Sequence, residues 1–167
     1  MPDITAARPV SGAPTESAWG QQVHDLIESG GVLARGEFTG PVTIGGLTEA
    51  AATVVVTAPA FTIPAAALVE VEFTCGAIFP PNAANGSIIL VLFENGVAVG
   101  RLTAAQMPTA SAAYIFPGST FKGRRNLAAG TFTYSVRAHV SAGTGTVYAG
   151  AGGPAAYFPG SITARLV

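Results

Sequence analysis

Charge is scarce in this chain of 167 residues. Asp, Glu, Lys and Arg make up 10% of it, where a soluble domain usually carries about 25%. The formal net charge is −1, without the basic excess by which nucleic-acid binders hold phosphate, so DNA and RNA are set aside as partners. Acid–base side chains are as thin: the only histidines are His24 and His139, and the only aspartates are Asp3 and Asp25. His24 and Asp25 are neighbours on a helix-like segment, and positions i and i+1 of a helix do not face each other. A Ser–His–carboxylate triad would need His139 with a glutamate, and no nucleophile-elbow motif offers the serine. The single cysteine, Cys75, can close no internal disulfide. It shares one face of a strand pattern with Val69, Val71 and Phe73, which reads as a buried thiol. The chain is therefore expected to be non-enzymatic, with no catalytic residue, metal or cofactor.

Long apolar helices are also missing. Ala50 to Val69 is an uncharged run of membrane-spanning length, but Pro59, Pro64 and the threonines Thr53, Thr57 and Thr62 break it as a helix. No membrane insertion is expected. Met-Pro-Asp-Ile-Thr has neither the basic start nor the apolar stretch of a secretory signal, so synthesis in a cytosol is expected.

What remains is apolar and rich in turn formers: 49% hydrophobic, with 21 glycines and 12 prolines. So little charge suggests that other subunits cover part of the surface. Ile4 to Pro14 reads as an extended arm. Thr15 to Glu28 is the one good helix signal, with Thr15 as cap, Glu16 at the positive end of the dipole and Gly30-Gly31 as its stop. Trp19, Val23, Leu26 and Ile27 form its apolar stripe. A helix this short must dock on the β body or on a neighbour, and these four residues are the candidate anchor.

From there on strands and turns dominate. Signals fall at 37–44, 53–57, 68–79, 87–94, 97–103, 131–140, 147–149 and 161–167. Ser87 to Glu94 is nearly all apolar, as in a central strand covered on both sides, and Asn95-Gly96 joins it to the next strand as a type I′ hairpin. Asn85-Gly86-Ser87 matches a glycosylation sequon but reads as a turn. The expected fold is all-β: an antiparallel, jelly-roll-like sandwich over 32–167, preceded by the arm and helix of 1–31.

Three groups of side chains invite a functional reading. Glu70 and Glu72 share a strand face and are expected to pair with Arg101 or Arg137. Lys122, Arg124 and Arg125 are expected to be a solvated loop cluster. Tyr114 and Phe116 precede Pro117-Gly118-Ser119, and Tyr157 and Phe158 precede Pro159-Gly160-Ser161. The echo is expected to make two type II turns, whose aromatics either stack on sugar rings or seal the sandwich ends or a subunit seam.

The opening, Ile4-Thr-Ala-Ala-Arg-Pro-Val-Ser-Gly followed by Glu16-Ser-Ala-Trp-Gly-Gln-Gln-Val-His-Asp25, resembles that of small virion proteins of tailed bacteriophages infecting actinobacteria. Leu127-Ala-Ala-Gly-Thr-Phe-Thr-Tyr-Ser-Val-Arg and the closing Gly-Ser-Ile-Thr-Ala-Arg-Leu-Val are similar to the last strands of tumour-necrosis-factor-like jelly rolls in phage fibres and decorations. The resemblance implies a homotrimeric structural protein of the virion, a minor tail, fibre or capsid-decoration component made in the host cytoplasm and held by other virion proteins. A module binding a host-surface glycan is the alternative.

Overall fold

The computed structural model describes residues 31–108, 115–150 and 156–167. The arm, the helix with Trp19, Val23, Leu26 and Ile27, and Tyr114 lie outside the described residues.

Among the described residues fourteen strand segments follow one another: β1 (Val32–Phe38), β2 (Val42–Ile44), β3 (Thr53–Thr57), β4 (Phe61–Ile63), β5 (Ala67–Thr74), β6 (Ala77–Phe79), β7 (Ser87–Glu94), β8 (Val97–Gln106), β9 (Phe116–Pro117), β10 (Thr120–Leu127), β11 (Gly130–Phe132), β12 (Tyr134–Val140), β13 (Gly145–Tyr148) and β14 (Gly160–Leu166). The one 3-10 turn among the described residues, Glu49–Ala51, is capped by Thr48, whose hydroxyl accepts from the Ala51 amide. Among the described residues no helix is long and apolar enough to cross a membrane.

Eight strands build two four-stranded antiparallel sheets, β1-β14-β5-β10 and β3-β12-β7-β8. Numbered along the chain, the first sheet runs first, eighth, third, sixth and the second runs second, seventh, fourth, fifth. That is the double Greek key of a jelly roll. The short strands pair where the chain passes from one sheet to the other. Their order, β2-β13-β6-β9, repeats that of the first sheet, while β4 pairs with β11 elsewhere.

Alternation decides which side chains enter the core. Val69, Val71 and Phe73 of β5 face Ile88, Leu90 and Leu92 of β7 and Tyr134, Val136, Ala138 and Val140 of β12, all buried in one cluster. Phe38, Phe73 and Phe121 stack across the first sheet at centroid distances of 6.2 and 6.3 Å. As expected, β7 is an inner strand, flanked by β12 and β8. Asn95 and Gly96 have φ of 49° and 81°, the two positive values of a type I′ turn. Asn95 also ties the hairpin tip to the chain before β12, because its Oδ1 accepts from the Thr133 amide at 2.8 Å.

Several expectations need correction. The run at 68–79 breaks at Cys75-Gly76, where the chain leaves β5 for β6. The strand expected at 37–44 begins earlier, at Val32, and breaks around Gly40-Pro41. Lys122, Arg124 and Arg125 lie not in a loop but in β10. An edge strand wets one side and one margin, so β10 needs little apolar patterning: Phe121 and Leu127 suffice to hold it.

Candidate functional site

The outer face of the first sheet is an ion-pair ladder. Glu70 and Glu72 occupy the wet side of β5, with Arg124 and Lys122 opposite them on β10 and Arg165 opposite Glu70 on β14. Lys122 Nζ lies 2.7 Å from Glu72 and 3.6 Å from Glu70, Arg124 Nε donates to Glu70 at 3.2 Å, and Arg165 reaches Glu72 at 3.4 Å. The Arg124 hydrogen bond, helped by Lys122 and Arg165, draws the Glu70 carboxyl below its ordinary value against the opposing cost of burial. Arg101 and Arg137, the partners expected from sequence, lie in β8 and β12 of the other sheet. Sequence alone could not tell which sheet each strand joins.

A second charged group closes one end of the sandwich. Tyr134, fully buried, donates its hydroxyl to Glu94 at 2.6 Å, and Arg125 Nε donates to the same oxygen at 3.3 Å. Burial and the Glu94 carboxylate both push the Tyr134 phenol well above its usual range. Each member is spent on the others. Burial likewise pushes the Cys75 thiol up to about 11, so at neutral pH it is no nucleophile. No cluster of three or more His, Cys, Asp or Glu that could hold a metal occurs among the described residues.

The aromatic-Pro-Gly-Ser echo proves spatial. Pro117-Gly118-Ser119 leads into β10 and Pro159-Gly160-Ser161 into β14, and these strands flank β5 on either side. Thr120 and Ser161 both stand opposite Thr74. The two turns thus bracket the end of β5, with the Ser161 hydroxyl 3.0 Å from that of Thr74 and the Ser119 carbonyl accepting from the Cys75 amide at 3.4 Å. Neither is a type II turn, since Gly118 and Gly160 lack the positive φ that such a turn requires. Their glycines answer to packing instead. A Cβ on Gly118 would overlap the carbonyl oxygens of Cys75 and Gly76, and one on Gly160 would overlap the Phe38 ring.

Between the turns lies a shallow depression of about 380 Å³, lined by Thr74, Ser119, Thr120 and Phe158 among others. The candidate aromatics divide here. Tyr157 packs flat on Gly76, where it leaves no room for a Cβ, and continues to Tyr148 at 6.0 Å and on to Phe79. Phe116 belongs to β9 and packs on the core. Both seal the sandwich end. Of the three described candidates only Phe158 projects, 93% exposed at the rim of the depression.

His139 stands outward on β12, half-buried, and its Nδ1 has no hydrogen-bond partner among the described residues. With it on the outer face of the second sheet lie Ile89, Val91 and Phe93 of the central strand, opposite His139, Arg137 and Ser135. Val91 and Phe93 are buried yet lie outside the core cluster, and the Arg137 guanidinium sits 4.3 Å above the Phe93 ring. Val54, opposite Arg137 on β3, is 47% exposed. The apolar surplus of the composition reappears on this face.

No family model and no curated protein matches the chain. Solved structures do. A tumour necrosis factor, Eiger, from S. frugiperda is 12% identical, with a TM-score of 0.41 over 81% of this chain and 92% of that one. The carbohydrate-binding module CBM6cm-2 of Cellvibrio mixtus lichenase 5A, solved with cellotriose, is 14% identical with a TM-score of 0.32 over 80% and 97%. The C-terminal CBM6 of LamC from Zobellia galactanivorans is 12% identical, at 0.29 over 75% and 98%. These are likenesses of fold, and the jelly roll is established by its own strand order.

Proposed function

We propose that the protein is a non-enzymatic structural component of a tailed-phage virion, fixed by its N-terminal arm and helix and displaying the jelly roll as a trimer on the particle, as a capsid decoration or a tail or fibre part. The resemblance of the opening and closing segments supplies the setting. The observation that carries the structural role is the outer face of β3-β12-β7-β8. An antiparallel sheet facing water usually alternates to polar residues on that side, whereas β7 places Ile89, Val91 and Phe93 there, Val91 and Phe93 already buried, and Val54 alongside on β3 stays 47% exposed. Such a face suits contact with a neighbouring subunit. Light scattering on the purified chain should give about three times 16.7 kDa, and Val54→Asp, which sets a charge on the exposed part of that face, should shift the population toward smaller species. A soluble monomer at micromolar concentration would overturn the reading.

One observation favours a second reading, in which the sandwich end holds a host-surface glycan. Phe158 offers a free ring beside the hydroxyls of Thr74, Ser119 and Thr120, and sugars are commonly held by an aromatic face with polar groups around it. Phe158→Ala should then reduce adsorption of particles to host cells while composition and particle yield stay unchanged. Unaltered adsorption would remove this reading and leave the structural one standing.

A further inference from the structure

We infer that the turn between β2 and β3 is a docking knob, and that it seats on the outer face of β3-β12-β7-β8 of a second copy of this chain. The inference rests on the proposed reading that a neighbouring subunit covers that face, and it names the segment that does so.

β2 and β3 are joined by residues 45–52, whose middle is the 3-10 turn Glu49–Ala51. None of the turn's residues is buried, and Leu47 just before it is 59% exposed. Leu47, Ala50 and Ala51 thus lie open to solvent around one charge, that of Glu49. The segment nonetheless holds a defined shape. Thr48 caps the turn, and the Gly46 carbonyl accepts from the Val140 amide at 2.8 Å. A Cβ on Gly46 would run into the Ala51 carbonyl oxygen, so the turn closes tightly on itself. An apolar projection of this kind adds nothing to its own core, and because its shape is already set it loses little freedom on docking.

Charge identifies the partner. Among the described residues Arg35, Lys122, Arg124, Arg125 and Arg165 each pair with a glutamate, and Glu37, Glu70, Glu72 and Glu94 are those glutamates. Glu49, Arg101 and Arg137 form no ion pair among the described residues. Glu49 is the charge of the knob, and the two arginines flank Val91 on the outer face of the second sheet. Val91 and Phe93 are already buried there, Phe93 beneath the Arg137 guanidinium. What the face still offers is Val54, 47% exposed, with Arg137 opposite it on β12. An aliphatic side chain beside a cation on the face thus matches an aliphatic side chain beside an anion on the knob: Leu47 meets Val54, and Glu49 meets Arg137. Solvation alone also leaves surface charges unpaired, but it does not set an exposed aliphatic group beside each member of the pair. A knob on one copy and a face on the next make a head-to-tail contact, the kind that closes into a ring.

Full-length Leu47→Cys and Val54→Cys chains, co-expressed, purified together and oxidised, should form covalent pairs of about twice 16.7 kDa. Either variant alone should form several-fold fewer, because the contact brings knob to face and never knob to knob. Cys75 is buried and common to all the samples. Glu49→Arg should weaken self-association roughly tenfold by setting like charges together, and adding Arg137→Glu should restore it. If the parent assembles by light scattering while the mixed pair fails to form, or while Glu49→Arg assembles as the parent does, the inference is overturned and the covering of the face by a neighbour still stands. A parent chain that is monomeric at micromolar concentration overturns that reading and the inference with it.

Discussion

Asn95 and Gly96 show how much a single residue can decide. A I′ turn needs left-handed backbone at both central positions, and Asn and Gly are the residues that tolerate it most readily. Space plays no part, because a Cβ on Gly96 would meet nothing within 4 Å. Gly96→Val should therefore cost on the order of 1 kcal/mol through backbone strain alone, lowering the melting temperature by about 3 °C. Scanning calorimetry of the purified variant checks it, and an unchanged transition would mean that the tip relaxes into another turn. The dipeptide was legible in the sequence because its demand is local. Gly118 and Gly160 were not. Pro-Gly has the same local signature whether the glycine serves a positive φ or the passage of a neighbouring carbonyl or ring, and only the three-dimensional arrangement separates the two.

At the scale of elements, the sequence spoke most clearly where alternation and burial coincide. Strands β5, β12 and β14 bury one face under the opposite sheet and their alternation marks them, while β3 and β7 are marked by unbroken apolar runs. β10 carries Thr-Phe-Lys-Gly-Arg-Arg-Asn-Leu, patterned by ion pairs rather than by apolar contacts, and its partners Glu70, Glu72 and Glu94 are 31 to 54 residues away along the chain. The candidate site shared that blindness: the sequence shows two similar turns, while their convergence on the end of β5 follows from strand order. The ladder has a consequence for pH. Glu70 is held below its ordinary value in the folded protein, so it contributes stability above the unfolded value of about 4.5 that is lost as pH falls through the folded one. Glu70→Gln should lower the melting temperature at pH 7 and flatten its fall between about pH 5 and 3. Parallel curves for parent and variant across that range would show that the ladder is solvated and contributes nothing.

For the whole molecule, the question is what the first thirty residues do. Among the described residues the core cluster runs from Ala34 to Ala164, and β1 enters its sheet against β14 with the Gly31 carbonyl accepting from the Leu166 amide at 2.9 Å. The described residues thus share a core of their own, and the stripe read from the sequence at Trp19, Val23, Leu26 and Ile27 is proposed to dock on a partner. Burying an aromatic anchor of that kind contributes a few kcal/mol, enough to decide whether a subunit docks. A chain that begins at Gly31 should fold, with a sheet-type circular dichroism spectrum and a cooperative melt, yet be missing from particles assembled in its presence. Trp19→Ala in the full chain should reduce incorporation without altering the melt. Incorporation of the shortened chain at normal copy number would move the attachment to the sandwich, where the apolar face of β3-β12-β7-β8 is the surface that remains to hold it.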